Sequence, residues 1–279
     1  MKNTLVLWLV LLSLPILAGQ VSAAQSNSDK KRNVVFILLD DLRYDGMGFI
    51  QPEVQTPNID DLAARGVHFT DAVVTSSLCS PSRASILTGM SIRNHKIVDN
   101  NNSSEEGLTY FPEYLQKTGY QTGFFGKWHM GSHSDMPRSG FNKWVSFAGQ
   151  GAYYPQDRIP PPLRSQGVVN QLNVDGKHVD QKGYITDELT DYALTWLKEE
   201  VDQSKPFFLY LSHKAVHSDA TPAKRHEGQY NDVEFRLPDS VVVTEQDARN
   251  KPMWVHNQRN SWHGTDFFYA SDRNRPGRA

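Results

Sequence analysis

Cysteine is almost missing: Cys79 is the single one among 279 residues. That excludes an intramolecular disulfide. No CxxC pair or histidine-rich stretch stands beside it to build a structural zinc site. An excess of charge is missing too. Lysine and arginine number 29 against 31 acidic residues, a formal net charge of −2, so nothing marks nucleic acid as a partner. A long apolar run occurs only at residues 5–17, which is short for a membrane span. Lys2 precedes it and Val21, Ser22 and Ala23 follow, so residues 1–23 read as a secretory signal. The mature protein is expected to be exported, periplasmic or secreted, with no stable membrane anchor. An exported chain with one cysteine draws its stability from a core rather than from cross-links. A hydrophobic content of 38% against 22% charged supports such a body.

The lone thiol lies in residues 76–89, SSLCSPSRASILTG. Ser80 suits a helix N-cap and Pro81 the first helical position, with Ala84, Ile86 and Leu87 in the helix behind them. Cys79 is then expected just ahead of the positive end of a helix, where an anion is welcome. Arg83 lies one turn on and can aim its guanidinium back at residue 79 or its ligand.

Residues 33–39, NVVFILL, read as a central strand buried on both faces. It ends in Asp40 and Asp41, hard oxygen donors suited to calcium or magnesium. Adjacent residues of an extended chain point opposite ways, so both reach one ion only where the strand ends or bends. A solvated strand end is the bland alternative, and Asp45 reads as a turn residue before Gly46. Thr56, Pro57 and Asn58 open a helix that Gly66 stops. Residues 67–74 then read as a short strand and loop. Arg93 and His95 are either substrate contacts or exposed loop residues. Asn101 and Asn102 each begin an N-x-S sequon.

Residues 111–118 read as a helix closed by Gly119, and residues 120–125 as a strand. GKWHMG follows at 126–131. Lys127 and His129, two apart, share one side of an extended segment. A fixed cation beside an imidazole suits a tetrahedral anion and proton transfer. Residues 134–182, with prolines 160–162, read as a surface-lying insertion with a hairpin at Asp175-Gly176. Tyr153, Tyr154, Arg158 and Arg164 there are sugar contacts or solvated loop residues. Residues 184–201 form an amphipathic helix. Residues 206–211, PFFLYL, form a buried strand that runs into Ser212, His213, Lys214 and His217. Three strand ends thus carry polar chemistry and can converge on one site.

The run C-S-P-S-R followed by A-S-I-L-T-G resembles the signature of the type I, formylglycine-dependent sulfatases. VVFILLDDLRYDGMG, T-P-N-I-D-x-L-A-x-x-G and GKWHxG are similar to further family segments in the same order. The likeness spans about residues 33–268. It implies an α/β fold like alkaline phosphatase and the sulfatases, a mostly parallel central sheet with helices on both faces. It implies hydrolysis of a sulfate ester, with a sulfated carbohydrate or polysaccharide as the expected substrate. By resemblance, Cys79 becomes formylglycine through a dedicated generating enzyme. Asp40 and Asp41, with residue 79, bind one calcium ion. Arg83 and Lys127 stabilise the nucleophile and the sulfate. His129 helps break down the sulfated intermediate, and His217 assists the leaving oxygen, with His213 the runner-up. Lys214 is a further group for the anion.

The family also has a later strand ending in Asp-Asn, a second sulfate-binding lysine and a small C-terminal domain. None is found here, since Asp272 to Asn274 reads D-R-N in a polar tail. Residues 24–279 are therefore expected to be the N-terminal portion of a C-terminally truncated catalytic domain, with an open sheet edge and an incomplete calcium shell. Two other readings share these residues: a phosphate or phosphonate ester hydrolase, and an inactive secreted protein that only binds sulfated glycan.

Overall fold

The computed structural model describes residues 31–100, 105–130, 134–157 and 170–235. The signal segment, both sequons, prolines 160–162, Arg158, Arg164 and everything after residue 235 lie outside the described residues. Among the described residues, no helix is long and apolar enough to cross a membrane.

The framework is a six-stranded sheet in two residue sets, one parallel and one antiparallel. β1 (Val34–Leu38), β2 (Gln121–Lys127), β3 (Lys143–Phe147) and β6 (Phe207–Ser212) run parallel in the order β1-β6-β2-β3. β4 (Gln171–Val174) and β5 (Lys177–Asp180) add an antiparallel hairpin beyond β3. Its turn is Asp175-Gly176, with φ of 51° and 89°, the left-handed pair a tight hairpin requires.

Alternation along β2 and β6 sorts the core to two faces. Phe124, Phe208 and Tyr210 point one way, toward Ala84 and Leu87 of α2 (Cys79–Thr88) and toward α4 (Phe111–Lys117). Phe125, Leu209 and Leu211 point the other way, toward Ile185, Leu189 and Ala193 of α5 (Ile185–Thr195). Trp196 ends that helix in a π-helical turn and packs on the same face. Each such side chain, fully buried, stabilises by roughly 1.5–3 kcal/mol, so β2 and β6 are the anchored centre. Helices cover both faces, as the resemblance implied.

Three expectations are corrected. Among the described residues β1 lies at the edge of the sheet and not at its centre: Val35 and Ile37 are 53% and 57% exposed. The centre goes to β6, which pairs on both sides, and α5 packs over β2 and β6. The described parts of the 134–182 stretch, residues 134–157 and 170–182, are no surface insertion. They supply β3, β4 and β5 and the buried Trp144, Val145, Phe147, Tyr153 and Leu172. Proline and glycine content hid short strands whose other face is core. Residues 67–74 form no strand, because no strand edge pairs with them.

Residues 45–67 and 226–235 belong to a second compact unit. It holds α1 (Pro57–Arg65), whose Asp60 accepts from Thr56 Oγ1 at 2.7 Å. The Gln55 N–H donates to Tyr230 Oη at 3.0 Å.

Candidate active site

Each polar group of the site leaves the carboxyl end of a parallel strand or the start of α2, the place where open α/β sheets present reactive groups. Pairing between the β1 and β6 chains continues past the strands. The His213 N–H donates to the Leu38 carbonyl at 2.9 Å, and the Asp40 N–H to that of Ala215 at 2.8 Å. This extension brings the 213–217 segment alongside Asp40 and Asp41. Asp41 has φ of 59°, so the strand bends there.

Cys79 is the first residue of α2, and Leu78 takes the cap position with extended backbone. This corrects the expectation that Ser80 caps the helix and that Cys79 precedes it. The Ser80 hydroxyl instead donates to the His129 carbonyl at 2.6 Å, and its N–H to Asn100 Oδ1 at 3.0 Å. Asn100 thus satisfies a first-turn donor, while Ser80 ties α2 to the loop after β2.

Asp40 is buried and faces two cations. Lys127 Nζ donates to its Oδ2, and Arg83 Nη2 lies 3.3 Å from its Oδ1. Burial pushes the Asp40 carboxyl up, but Arg83 and Lys127 outweigh it and hold the group below the usual range. Arg83 is locked: its Nη1 donates to the Lys127 carbonyl at 2.5 Å and to Ser212 Oγ at 2.6 Å. Lys127 Nζ also donates to Gln150 Oε1 and lies 3.6 Å from Cys79 Sγ. Cys79 Sγ is 3.6 Å from Asp40 Oδ1. Burial pushes the thiol up, with Lys127 opposing and Asp40 and Asp41 adding to the rise. The unmodified sulfur is a protonated thiol at neutral pH and a poor nucleophile.

Asp40, Cys79 and His217 offer ligand atoms within 4.8 Å of one another, a possible metal site among the described residues. Asp41 is not in that group. Its carboxylate is half-exposed, with Oδ2 3.7 Å from His217 Nε2. His217 Nδ1 donates to the Ser218 carbonyl at 2.6 Å, which turns Nε2 toward the site. His213 is buried, and burial lowers its pKa to about 4. His129 is buried with φ of 43°. The extended alternation with Lys127 therefore stops short of it.

Other polar residues have structural places. His95 is buried rather than exposed: its Nδ1 accepts the Ile97 N–H at 3.1 Å, and Nε2 lies 3.1 Å from Ser85 Oγ. Tyr153 is also buried, and its hydroxyl donates to the His217 carbonyl at 2.6 Å. Trp128, Arg138 and Tyr110 all donate to Glu105, which fixes the segment around Lys127.

Sequence reasoning missed Gln150, Ser212 and Asn100 as partners of the site. Gln150 stands between two glycines just after β3. That signal was legible only to a reader who had recognised β3 as a sheet strand.

Lys214 is 4% exposed. Its Nζ lies 4.7 Å above the Tyr153 ring and donates to the Ser218 carbonyl at 3.3 Å. Burial, and then Lys127, push its pKa down to about 8. A base depressed in the folded state destabilises it most below that folded value, and the loss is recovered as pH rises to the unfolded value of 10.5. Lys214→Met is therefore expected to raise the urea-unfolding free energy at pH 7 by roughly 2–3 kcal/mol. The gain should vanish near pH 10.5. An equal gain at both pH values would assign the effect to packing instead of charge.

A family model described as Sulfatase matches residues 32–261. An N-acetylglucosamine-6-O-sulfatase of Bacteroides thetaiotaomicron is 34% identical over 93% of this chain and 44% of its own length. An N-acetylgalactosamine-6-sulfatase of Rattus norvegicus is 28% identical over 82% of this chain and 49% of its own. A structure solved in complex with its substrate D-glucosamine-2-N,6-O-disulfate superposes with a TM-score of 0.66 at 35% identity, over 76% of this chain and 40% of that one. The chain thus spans about half the length of the curated relatives it matches.

Proposed function

The chain belongs to the sulfatase family, and from that premise we propose that it hydrolyses the sulfate ester of a carbohydrate, releasing alcohol and inorganic sulfate. The observation that carries the reading is the meeting of Cys79 Sγ, Lys127 Nζ, Asp40 and His217 at one group of strand ends. The relatives' names favour a 6-O-sulfated amino sugar or a polysaccharide that contains one.

The Cys79 sulfur stands where the oxygens of a hydrated formylglycine would stand. Asp40, residue 79 and the amide oxygen of Gln150 fit part of a calcium shell, and Asp41, outside that cluster here, would add a further carboxylate. They are mainly oxygen donors, and Asp40 and Gln150 already converge on one cation, the Lys127 ammonium. When bound, calcium would polarise the sulfate oxygens, and formylglycine would supply a hydroxyl nucleophile. Lys127 and Arg83 offset the negative charge that gathers on the sulfate. Nε2 of His217 faces the leaving oxygen and hands it a proton when the ring is charged. His129 serves the later release of sulfate. Lys214, a buried ammonium with one long hydrogen bond, adds positive potential for the anion. A signal at residues 1–23 would export the protein to the periplasm or beyond, after maturation by a formylglycine-generating enzyme.

The test is a rate comparison on two esters of one sugar, N-acetylglucosamine 6-sulfate and its 6-phosphate. The sulfate ester is expected to react faster by roughly a hundredfold or more. Preference for the phosphate ester would replace this reading with a phosphohydrolase. Binding of both without turnover would leave only a sulfated-glycan-binding protein.

A further inference from the structure

Lys127 is completely buried, and its ammonium is held by two oxygens, Asp40 Oδ2 and Gln150 Oε1. An ammonium and a divalent cation need the same thing, oxygen lone pairs converging on a point. Both oxygens here are acceptors that either cation can use. Asp40 also belongs to the cluster with ligand atoms close enough to hold a metal. We infer that Lys127 and a divalent cation are alternative occupants of the position between Asp40 Oδ2 and Gln150 Oε1, and that Gln150 is a further ligand of the metal centre. The inference rests on the metal site proposed above.

The two basic residues around Asp40 differ in their freedom. Arg83 is fixed by its bonds to the Lys127 carbonyl and to Ser212. Lys127 carries a point charge on a flexible four-carbon stem. A cation that takes Asp40 therefore displaces the Lys127 ammonium and leaves the Arg83 guanidinium in place. A further neighbour of Lys127 Nζ is Cys79 Sγ at 3.6 Å, the proposed place of the nucleophile and of the incoming sulfate. Displacement thus moves positive charge from a carboxylate to the anion. Cation binding and anion binding become coupled, each strengthening the other by the same factor.

Calcium titration calorimetry on the whole protein tests the exchange. Lys127→Met is expected to bind calcium about tenfold more tightly than the wild type, because a competitor is gone. Gln150→Ala is expected to bind about tenfold more weakly, and Asp40→Asn to lose binding. Relief of repulsion alone would tighten binding in Lys127→Met and in Arg83→Met alike, so a gain in folded Lys127→Met that exceeds the gain in folded Arg83→Met decides, and equal gains overturn the exchange. Unchanged or weaker binding in a folded Lys127→Met protein, with binding still lost in Asp40→Asn, overturns the exchange and leaves the metal site standing. Calcium bound equally by Asp40→Asn, or by no protein in the series, overturns the metal site and the exchange together. A second measurement needs no variant. The affinity of the wild type for inorganic sulfate is expected to rise about tenfold on adding calcium, and no rise overturns the coupling.

Discussion

Replacing Cys79 with alanine is expected to abolish the proposed sulfate-ester hydrolysis, a loss of roughly a thousandfold or more, and to leave the fold intact. The two halves of that expectation have separate causes. The side chain is only partly buried, and its contacts with Asp40 and Lys127 are long, at 3.6 Å each. Truncating it costs little packing. The reaction, by contrast, loses the atom to which Asp40, Lys127 and His217 are directed. In the proposed reaction those groups act on one bond, so removing the nucleophile is expected to strip most of their effect too. The check is sulfate release under saturating substrate, with circular dichroism to confirm the fold. Mass spectrometry of the peptide 66–83 from the native host completes it. An aldehyde in place of the thiol is the expected species. Full activity in the alanine variant would remove residue 79 from the chemistry altogether.

The largest expected loss of stability comes from Gly126→Ala. Gly126 has φ of +125°, a conformation that side chains rarely adopt, and a Cβ there would lie 1.8 Å from the Ser212 carbonyl oxygen. That atom is backbone of β6, paired directly with residue 126, so no rotamer change relieves the clash. The two central strands must part where Lys127 and Ser212 meet Arg83. A loss of about 4 kcal/mol or more is expected, enough to leave many domains unfolded. Gly176→Ala is the contrast. Its φ is +89° and nothing lies within 4 Å, so only backbone strain is added. That costs about 1 kcal/mol. Urea unfolding of both variants checks the difference. A Gly126→Ala protein within about 1 kcal/mol of wild type would mean that the strands can separate there without loss.

The calcium-affinity gain expected for Lys127→Met beyond that of Arg83→Met joins these two as a further test. It does not depend on turnover, so it bears on the site even where activity is low.

The sequence by itself determined the family, the candidate site residues and their order along the chain. Cys79, Arg83, Lys127 and the Asp40-Asp41 pair sit in short, local patterns that can be read without any long-range partner. The strong strands β2 and β6 were legible for a related reason, since runs such as PFFLYL admit few environments other than a buried sheet. The Asp175-Gly176 turn was legible because few residues tolerate its backbone. Only the tertiary structure decided what depended on distant partners. NVVFILL is as apolar as β6, yet among the described residues it lies at the edge, because strand order is set by pairing across the sheet and not by composition. Ser80 reads as a helix cap until the His129 carbonyl claims its hydroxyl. His95 reads as a loop residue until the Ile97 N–H and Ser85 close around it. Gln150 reads as nothing at all until β3 carries it to the Lys127 ammonium. Local sequence sets which atoms can donate, accept or react. The long-range pairing of β1, β6, β2 and β3 sets which of them meet.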